Sequence, residues 1–282
     1  MTSESVQPIL LLLSDHPGGN PTEFMIEQAF AHHDLDWTFH TVEVRPEGLE
    51  DAVRGIRAMG FLGAHISNPH KEAVLPLADR RTETAELVGA ANTLLREGDD
   101  LIAENLEGRG LLAVLRGAIE LADARVMILG AGRGARAAAV ELGRAGVAEL
   151  IVAGRDPARA EAIAELVAER FDRPTRHLPW QEELAVPEDV DAVVHATTLG
   201  REDPDAVVPI RLDSLRAGLI LADMTANPPD TWLIRQAGER GCTTLDGLGM
   251  YVEQSAVAIE LWTGTSPDRA VMRDAIEEFL EV

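Results

Sequence analysis

Lysine occurs once in this 282-residue chain, at position 71, although the chain carries 25 residues of the Lys/Arg type. The other 24 are arginines. An arginine guanidinium does not lose its proton near neutral pH, whereas a lysine ammonium can shift its pKa and exchange a proton. Lys71 is therefore a candidate proton donor and acceptor. The alternative is a solvated surface charge, and the surrounding residues must decide between the two.

A glycine-rich turn between a predicted strand and a predicted helix is the second feature with chemical meaning. The turn reads GAGRGA and fits the pattern G-x-G-x-x-G/A. In that pattern Gly130 permits the tight turn, Gly132 lets the backbone approach a pyrophosphate, and Ala135 lets the helix pack closely on the strand. The N–H groups at the start of the helix, from Arg133 and Gly134 onward, would hold the phosphates. The flanking strands favour a dinucleotide site over a turn that serves packing alone.

The next predicted strand ends in Gly154-Arg155-Asp156. Asp156 lies near the position at which an acidic residue bonds the adenine ribose of NAD, and a carboxylate there repels the 2′-phosphate of NADP. Arg155 or Arg159 would instead pair with that phosphate. Asp156 is also placed to cap the helix that begins at Pro157. The sequence predicts NADP or NAD as the cofactor, and Asp156 favours NAD.

Seven short motifs, in order along nearly the whole chain, carry a resemblance to a known family. The segments are HISNPHK (65–71), GAANT (89–93), NLEGRG (105–110), GAGRGAR (130–136), DAVVHATTLG (191–200), DMTANPPDT (223–231) and DGLGMYVEQ (246–254). The first three resemble the N-V-T-x-P-x-K, G-A-V-N-T and N-T-D-x-x-G patterns of the shikimate dehydrogenases, and the fifth resembles their D-x-V-I-N-A-T-P-x-G. The resemblance implies an oxidoreductase of aromatic amino acid biosynthesis, which reversibly reduces 3-dehydroshikimate to shikimate with NAD(P).

The resemblance also implies roles for individual residues. Lys71 matches the family's catalytic lysine and Glu107 its acidic partner, a pair suited to removing a hydroxyl proton as hydride leaves carbon. The positions that match substrate-binding side chains are Asn20, Ser67, Asn92 and Gln254. The positions that match the cofactor site, beyond the turn and the residues after the second strand, are Thr197, Gly247 and Met250. Without the resemblance, Glu107 is typical of an acid that complements a helix dipole, and Met250 of a core residue.

The chain departs from the family at the substrate end. The family's S-x-S-P, whose serines hold the substrate carboxylate, is replaced by GGNP at 18–21. Gly18 offers no side-chain donor and Asn20 offers an amide. The family's aspartate is Glu107 here, and its asparagine is His65. Two other hypotheses therefore stay open: the same reaction on quinate or an aminoshikimate-like cyclic acid, and a dinucleotide-binding paralogue without catalysis.

Hydrophobic periodicity predicts strands at Ile9–Ser14 and Arg125–Leu129 and an amphipathic helix at Leu49–Met59, among others. It places the residues described above at the ends of predicted strands. Strands and helices alternate through both halves, which predicts an α/β fold with parallel sheets. We expect a substrate-binding catalytic domain at residues 1–106 and a Rossmann NAD(P)-binding domain at 107–250, with helices at about 251–282 packing back on the first domain. Residues 91–96 and 101–105 flank an acidic turn, as in a hairpin.

Composition narrows the partners. The formal net charge of −23 argues against nucleic acid or an anionic membrane. The single Cys242 excludes an intrachain disulfide, and the eight histidines lack metal-ligand spacing, so no metal is predicted. No apolar run approaches the roughly 20 residues of a membrane span, and the first residues lack the basic region of a signal peptide. We expect a cytoplasmic enzyme, a monomer or homodimer, that acts on a small cyclic hydroxy acid.

Overall fold

The computed structural model describes residues 7–282. Its strands are β1 (Ile9–Ser14), β2 (Thr38–Glu43), β3 (Gly63–Ile66), β4 (Arg80–Arg81), β5 (Thr93–Glu97), β6 (Asp100–Glu104), β7 (Arg125–Leu129), β8 (Glu149–Gly154), β9 (Thr175–Pro179), β10 (Ala192–His195), β11 (Ile220–Asp223) and β12 (Thr243–Leu245). Its helices are α1 (Thr22–His32), α2 (Leu49–Met59), α3 (His70–Ala73), α4 (Glu83–Val88), α5 (Glu107–Arg116), α6 (Arg133–Ala145), α7 (Pro157–Phe171), α8 (Trp232–Gly238), α9 (Gly247–Thr263) and α10 (Arg269–Leu280). None of these helices is long and apolar enough to cross a membrane.

The described chain divides into two compact units. The first runs to Leu106 and includes Ser255–Val282, and the second is Glu107–Gln254. Each unit contains one six-stranded sheet with helices packed against it.

The sheet of the first unit is mixed, in the order β2-β1-β3-β5-β6-β4. Strand β1 pairs in parallel with β2 and β3, whereas β5 pairs antiparallel with both β3 and β6. The expected parallel pairing holds among β1, β2 and β3 and between β4 and β6, and the predicted hairpin is the antiparallel pair β5–β6. The expectation of a wholly parallel sheet is wrong at β3–β5, because the hairpin places the reversed strand β5 next to β3. The carboxyl ends of β1, β3 and β6 and the amino end of β5 therefore share one edge of the sheet.

Leucines of β1 fill the centre of the first unit. Leu11 and Leu13 join an apolar cluster with the inward face of α2, and α1 packs against α10. The indole Nε1 of Trp262, in α9, donates to the carbonyl oxygen of Leu94 at 3.0 Å. A Cβ added to Gly63, at φ 158°, would lie 2.3 Å from that same oxygen, so glycine is required where the tryptophan crosses the sheet.

The sheet of the second unit is parallel throughout, in the order β12-β11-β10-β7-β8-β9. Its central strands are buried on both faces, so their sequences are continuously apolar and do not alternate with polar residues. Strand order reverses between β7 and β10, and ligands of such sheets bind at the carboxyl ends of the strands at this reversal. The edge strand β9 was not predicted, because its sequence TRHLP has no apolar alternation.

Candidate active site

Polar side chains gather at one edge of the first unit's sheet. Ser14 ends β1, Asn92 precedes β5 and Glu104 ends β6, and all three are buried. The backbone N–H of Ile66 donates to the carbonyl oxygen of Asn92 at 2.8 Å, and the N–H of Asn92 donates to that of Glu104 at 3.0 Å. Ser67 follows directly after β3. The structure thus brings together the three polar segments that precede the glycine-rich turn in the sequence.

Lys71 lies in the short helix α3 beside this edge, and its backbone is held from two sides. The N–H of Ala91 donates to the carbonyl oxygen of Lys71 at 2.7 Å. The neighbouring His70 is buried, and its Nε2–H donates to the carbonyl oxygen of Val44 at 2.7 Å. These bonds position the helix without using the ammonium group. The side chain of Lys71 is half-buried.

His65, which stands where the family pattern has asparagine, is buried in the same unit. Its Nδ1–H donates to the carbonyl oxygen of Asn92 at 3.3 Å, and its ring is edge-on to Trp262 with centroids 4.9 Å apart. Burial, opposed by the Asn92 bond and assisted by the positive charge of Lys71, lowers the pKa of His65 to about 4. The imidazole is therefore neutral at pH 7, and the charge of Lys71 is felt at this position.

Two of the predicted substrate-binding side chains take part in bonds at the polar edge. The Oδ1 of Asn92 accepts from the backbone N–H of Leu106 at 2.9 Å and from the hydroxyl of Thr93 at 3.2 Å. The hydroxyl of Ser67 donates to that of Ser14 at 2.9 Å. Ser14 was not predicted from the sequence, where it reads as the last residue of a buried strand. These bonds fix the orientation of both predicted side chains.

The loop after β1 is where the chain departs from the family's serine pair. The Oδ1 of Asn20 accepts from the backbone N–H of Thr22 at 3.0 Å and also from its hydroxyl. This side chain therefore binds the first residue of α1. A Cβ added to Gly18 would meet no heavy atom within 4 Å. The loop therefore has open space at one family serine position and an engaged amide oxygen at the other.

Glu107 and Gln254 belong to the second unit. Glu107 is the first residue of α5, and Gln254 lies in α9 and is buried. A Cβ added to Gly110 would lie 2.4 Å from the carbonyl oxygen of Met250 and 2.9 Å from the Cβ of Gln254. Only glycine lets the two helices approach so closely. Glu107, one turn before Gly110, and Gln254 therefore lie on adjacent helices of one unit.

The glycine-rich turn has the geometry that a dinucleotide requires. Gly130 has φ 125°, and a Cβ there would lie 2.7 Å from the carbonyl oxygen of Ala196. A Cβ at Gly132 would meet nothing within 4 Å. Gly132 is also the N-cap of α6 and has no side chain to occupy the first N–H groups, those of Arg133 and the residues after it. The turn thus leaves an open, N–H-lined cradle for a pyrophosphate, and the residues present fit the cofactor.

A cleft of about 280 Å³ lies over this turn. Its lining includes Arg155, Asp156, Arg159 and Thr197, in addition to the turn itself. The Oδ1 of Asp156 accepts from the backbone N–H of Ala158 at 3.1 Å and of Arg159 at 3.3 Å, and Oδ2 lies 3.3 Å from Nε of Arg159. Asp156 therefore caps α7, the second of the two roles that the sequence allowed.

Gly247 and Met250 both have packing roles within the second unit. A Cβ added to Gly247 would lie 2.2 Å from the carbonyl oxygen of Thr225. Met250 is 6% exposed and joins the apolar cluster that includes Leu111 and Ala135. Close backbone contact and core packing account for these two residue types, and their predicted place beside the nicotinamide stays a prediction.

Two further polar residues of the second unit were not singled out from the sequence. His195 ends β10 and Asp223 ends β11, and both side chains are fully buried. Nδ1 of His195 lies 3.1 Å from Oδ1 of Asp223, and its Nε2 lies 2.6 Å from the hydroxyl oxygen of Thr197. The available signal was a charged or polar residue at the end of each of two fully apolar strands, which is costly unless the residue has a partner.

Burial alone would raise the pKa of the Asp223 carboxyl. Hydrogen bonds from His195, Thr231 and the backbone of Thr225 outweigh burial and hold that pKa below its ordinary value.

Within residues 7–282, no three His, Cys, Asp or Glu side chains are grouped so that they could hold a metal ion.

A parallel sheet with a glycine-rich turn at its reversal point, in one chain with a second α/β unit that bears a polar edge and a lysine, defines a dinucleotide-dependent dehydrogenase. Family models match three stretches: the Shikimate dehydrogenase substrate binding domain at 22–94, Shikimate / quinate 5-dehydrogenase at 113–201, and the Shikimate 5′-dehydrogenase C-terminal domain at 247–277. The chain belongs to the shikimate dehydrogenase family, as the seven motifs predicted.

Relatives match over nearly the full chain. A shikimate dehydrogenase (NADP(+)) of Symbiobacterium thermophilum is 37% identical over 99% of this chain and 97% of its own. The ligand-free 5-ketofructose reductase of Gluconobacter sp. strain CHM43 is 38% identical with a TM-score of 0.93, over 97% of this chain and 99% of its own. A shikimate dehydrogenase in complex with NADP+ is 29% identical with a TM-score of 0.88, over 97% and 96%. The α/β fold is confirmed.

Proposed function

We propose that this chain is an NADP(H)-dependent oxidoreductase that interconverts 3-dehydroshikimate and shikimate, with Lys71 as the acid/base. The observation that carries the proposal is the position of the chain's only lysine, on an anchored helix beside a buried polar edge, in a chain that also carries an open dinucleotide cradle. The names and full-length similarity of the Symbiobacterium relative and of the NADP+ complex support it.

In the reduction, a dinucleotide held at the Gly130–Gly132 turn would supply the hydride that the carbonyl carbon accepts. The Lys71 ammonium donates a proton to the carbonyl oxygen, and in the reverse direction the neutral amine removes the hydroxyl proton. Asn92 and Gln254 hold ring hydroxyls, and Ser67 adds a hydroxyl contact. Glu107 is assigned as the acidic partner that accepts a hydrogen bond from the reacting alcohol. The assignments of Asn92, Gln254, Ser67 and Glu107 rest on the family resemblance.

NADP, rather than NAD, is the proposed cofactor. The carboxylate of Asp156 caps the first N–H groups of α7 and is paired with Arg159, which offsets its repulsion of a 2′-phosphate. Arg155 and Arg159 line the same cleft and supply two cations for a 2′-phosphate. This geometry supports NADP against the preference for NAD that Asp156 suggested in the sequence.

The cofactor proposal is tested with kcat/KM for NADP and NAD in the wild type, Arg155→Gln and Asp156→Asn. Charge-assisted hydrogen bonds contribute about 1.5–3 kcal/mol each, so we expect Arg155→Gln to lower kcat/KM for NADP roughly tenfold or more and to leave NAD unchanged. Asp156→Asn retains a capping oxygen and removes the carboxylate charge, so we expect it to leave kcat/KM for NAD unchanged; a fall would identify Asp156 as a ribose ligand. A wild type that prefers NAD would contradict the proposal.

A second candidate substrate is a polyhydroxylated ketone without a carboxylate. The observation that favours it is the loop at 18–20, where Gly18 has no side-chain donor and Asn20, whose oxygen accepts from Thr22, offers a carboxylate only its amide NH2. The Gluconobacter structure, a 5-ketofructose reductase by name, supports the same choice. The reaction type and the role of Lys71 are identical in the two candidates.

One panel separates the candidates. Shikimate, quinate, aminoshikimate, 3-dehydroshikimate and 5-ketofructose are assayed with both cofactors in the wild type and in the double variant Gly18→Ser/Asn20→Ser. If the native substrate is uncharged, the wild type prefers 5-ketofructose, and the installed serines raise kcat/KM for shikimate about tenfold or more by bonding its carboxylate. If shikimate is native, the wild type already prefers it. Inactivity on all five would refute the proposed function.

A further inference from the structure

A buried chain of four polar side chains runs through the second unit and ends in the dinucleotide cleft. The hydroxyl of Thr231 donates to Oδ2 of Asp223 at 2.7 Å, and Oδ1 of Asp223 lies 3.1 Å from Nδ1 of His195. Nε2 of His195 lies 2.6 Å from the hydroxyl oxygen of Thr197. Thr197 lines the cleft opposite the glycine-rich turn, where a Cβ at Gly130 would lie 3.3 Å from its backbone nitrogen.

The hydrogens along this chain follow from the acceptors. The carboxylate of Asp223 is ionised at neutral pH, and it already accepts from Thr231 and from the backbone N–H of Thr225 at 2.9 Å. Facing the carboxylate oxygen at 3.1 Å, Nδ1 of His195 must carry a hydrogen, because two lone pairs would repel each other there. When the ring carries this one hydrogen only, Nε2 keeps its lone pair. Nε2 is then an acceptor, and the Thr197 hydroxyl hydrogen points inward to it.

The hydroxyl oxygen of Thr197 can act only as a hydrogen-bond acceptor toward the cleft. It accepts from the backbone N–H of Leu199 at 3.1 Å, and its own hydrogen is committed to His195. A hydroxyl oxygen has two lone pairs, so the second one is what Thr197 presents to the cleft. That lone pair suits a ligand group that donates a hydrogen bond, such as a ribose hydroxyl, and not a phosphate oxygen.

The position of Thr197 in the sheet indicates which of the two riboses of the dinucleotide it would contact. In doubly wound sheets the adenosine half of a dinucleotide lies over the strand that follows the glycine-rich turn, and the other half lies across the reversal point. Here these are β8, which carries Arg155 after it, and β10, which carries Thr197 after it. The hydroxyl donor opposite Thr197 therefore belongs to the nicotinamide side.

We propose that His195, oriented by Asp223, is a positioning residue that fixes Thr197 as a hydrogen-bond acceptor for the nicotinamide ribose. The inference rests on the proposed dinucleotide function. It is particular to this chain, because His195 stands where the family pattern reads asparagine. An asparagine is too short to replace both ring nitrogens, so the polarity of Thr197 is set here by an imidazole and its carboxylate.

The test measures dissociation constants by equilibrium titration for two probes, NADPH and 2′,5′-ADP, which lacks the nicotinamide ribose. In Thr197→Val the Kd for NADPH should rise about three- to tenfold, as expected for one neutral hydrogen bond, while the Kd for 2′,5′-ADP stays within about twofold. Thr197→Ser keeps the hydroxyl and should restore NADPH binding. Thr243→Val, an exposed threonine of β12, is the matched control with no effect on either probe.

A double-mutant cycle tests whether His195 acts through Thr197. His195→Asn should weaken NADPH binding to a similar extent, and the double variant His195→Asn/Thr197→Val should be no weaker than the weaker single variant, because both remove the same interaction. Additive losses would overturn the proposal, as would an unchanged NADPH Kd in Thr197→Val or equal weakening of both probes.

The same binding data distinguish failure of the proposed role of His195 from failure of the proposed dinucleotide function. A wild type that binds neither probe would refute the dinucleotide assignment itself. A wild type that binds NADPH normally, with Thr197→Val unaffected, would refute only the role of His195. If His195→Asn fails to fold, the comparison of Thr197→Val with Thr197→Ser on the two probes still decides the matter.

Discussion

Replacing Lys71 with alanine removes the one lysine ammonium of the chain and leaves the backbone bonds of α3 in place. The backbone of α3 is held by the bond from Ala91 to the carbonyl oxygen of Lys71 and by the bond from His70 to Val44, and neither uses the ammonium. We therefore expect Lys71→Ala to fold, with an unfolding free energy lower than that of the wild type by about 1 kcal/mol. The dinucleotide cradle belongs to the other unit, so the Kd for NADPH should change by no more than about twofold.

The rate of the chemical step should fall much further. A positioned general acid/base contributes about 10²- to 10⁴-fold, or roughly 3–5 kcal/mol of barrier. Lys71→Arg is the decisive companion, since it keeps the positive charge but cannot exchange a proton near neutral pH. Single-turnover measurements with substrate and NADPH should show both variants slowed at least about 100-fold. An arginine variant within tenfold of the wild type would refute proton transfer by Lys71 and leave only an electrostatic role.

Because lysine occurs once, its titration can be followed directly. Reductive methylation with isotopically labelled formaldehyde gives a single side-chain amine signal, whose chemical shift reports the pKa of Lys71. The pH at which kcat loses half its value on one limb should coincide with that pKa. A limb that moves independently of the signal would assign the acid/base role to another group.

Two further predictions follow from the same geometry. Gly130→Ala should lower the free energy of unfolding by about 1–3 kcal/mol or more, because its Cβ would lie 2.7 Å from the carbonyl oxygen of Ala196 at φ 125°. Gly132→Ala, whose Cβ would have nothing within 4 Å, should fold normally and lose only NADPH affinity. Equal stability of the two variants in urea would contradict this prediction. Folding lowers the pKa of His65 from 6.5 to about 4, so the unfolded chain binds more protons between those values. The free energy of unfolding therefore rises with pH through that window and is lost as the pH falls from 6.5 to about 4. His65→Leu should remove about 3 kcal/mol of this loss in urea titrations at the two ends of the window, and an unchanged pH dependence would show that His65 is not buried neutral.

The sequence predicted those elements whose apolar period is uninterrupted. Strands Ile9–Ser14 and Arg125–Leu129 and helix Leu49–Met59 have the bounds that periodicity predicted. Strand Thr175–Pro179 did not follow from its sequence, because its residues are half-exposed and owe their conformation to pairing with β8. An edge strand of this kind depends on its neighbour and carries no apolar pattern of its own.

At the candidate site the sequence predicted residue positions but not their hydrogen bonds. Asp156 and Asn20 each precede a helix, and both side chains accept from its first N–H groups. Short polar side chains compete for such local partners, and the competition is decided by backbone geometry that a motif does not encode. His195 and Asp223 lie 28 positions apart and meet only because β10 and β11 pair in register.

The two halves of the proposed reaction differ in how much change they tolerate. Hydride transfer needs a turn that a methyl group at Gly130 would distort, by its clash with the carbonyl oxygen of Ala196. It also needs a side chain that exchanges a proton, for which none of the arginines is a substitute. Substrate recognition needs only hydrogen-bond donors of about 1 kcal/mol each, which can be exchanged one at a time. Gly18, with open space for a side chain, is such an exchangeable position. The type of reaction is therefore more constrained by the structure than the substrate is. Replacing Gly18 with serine and measuring kcat/KM for shikimate is the most direct test of the substrate.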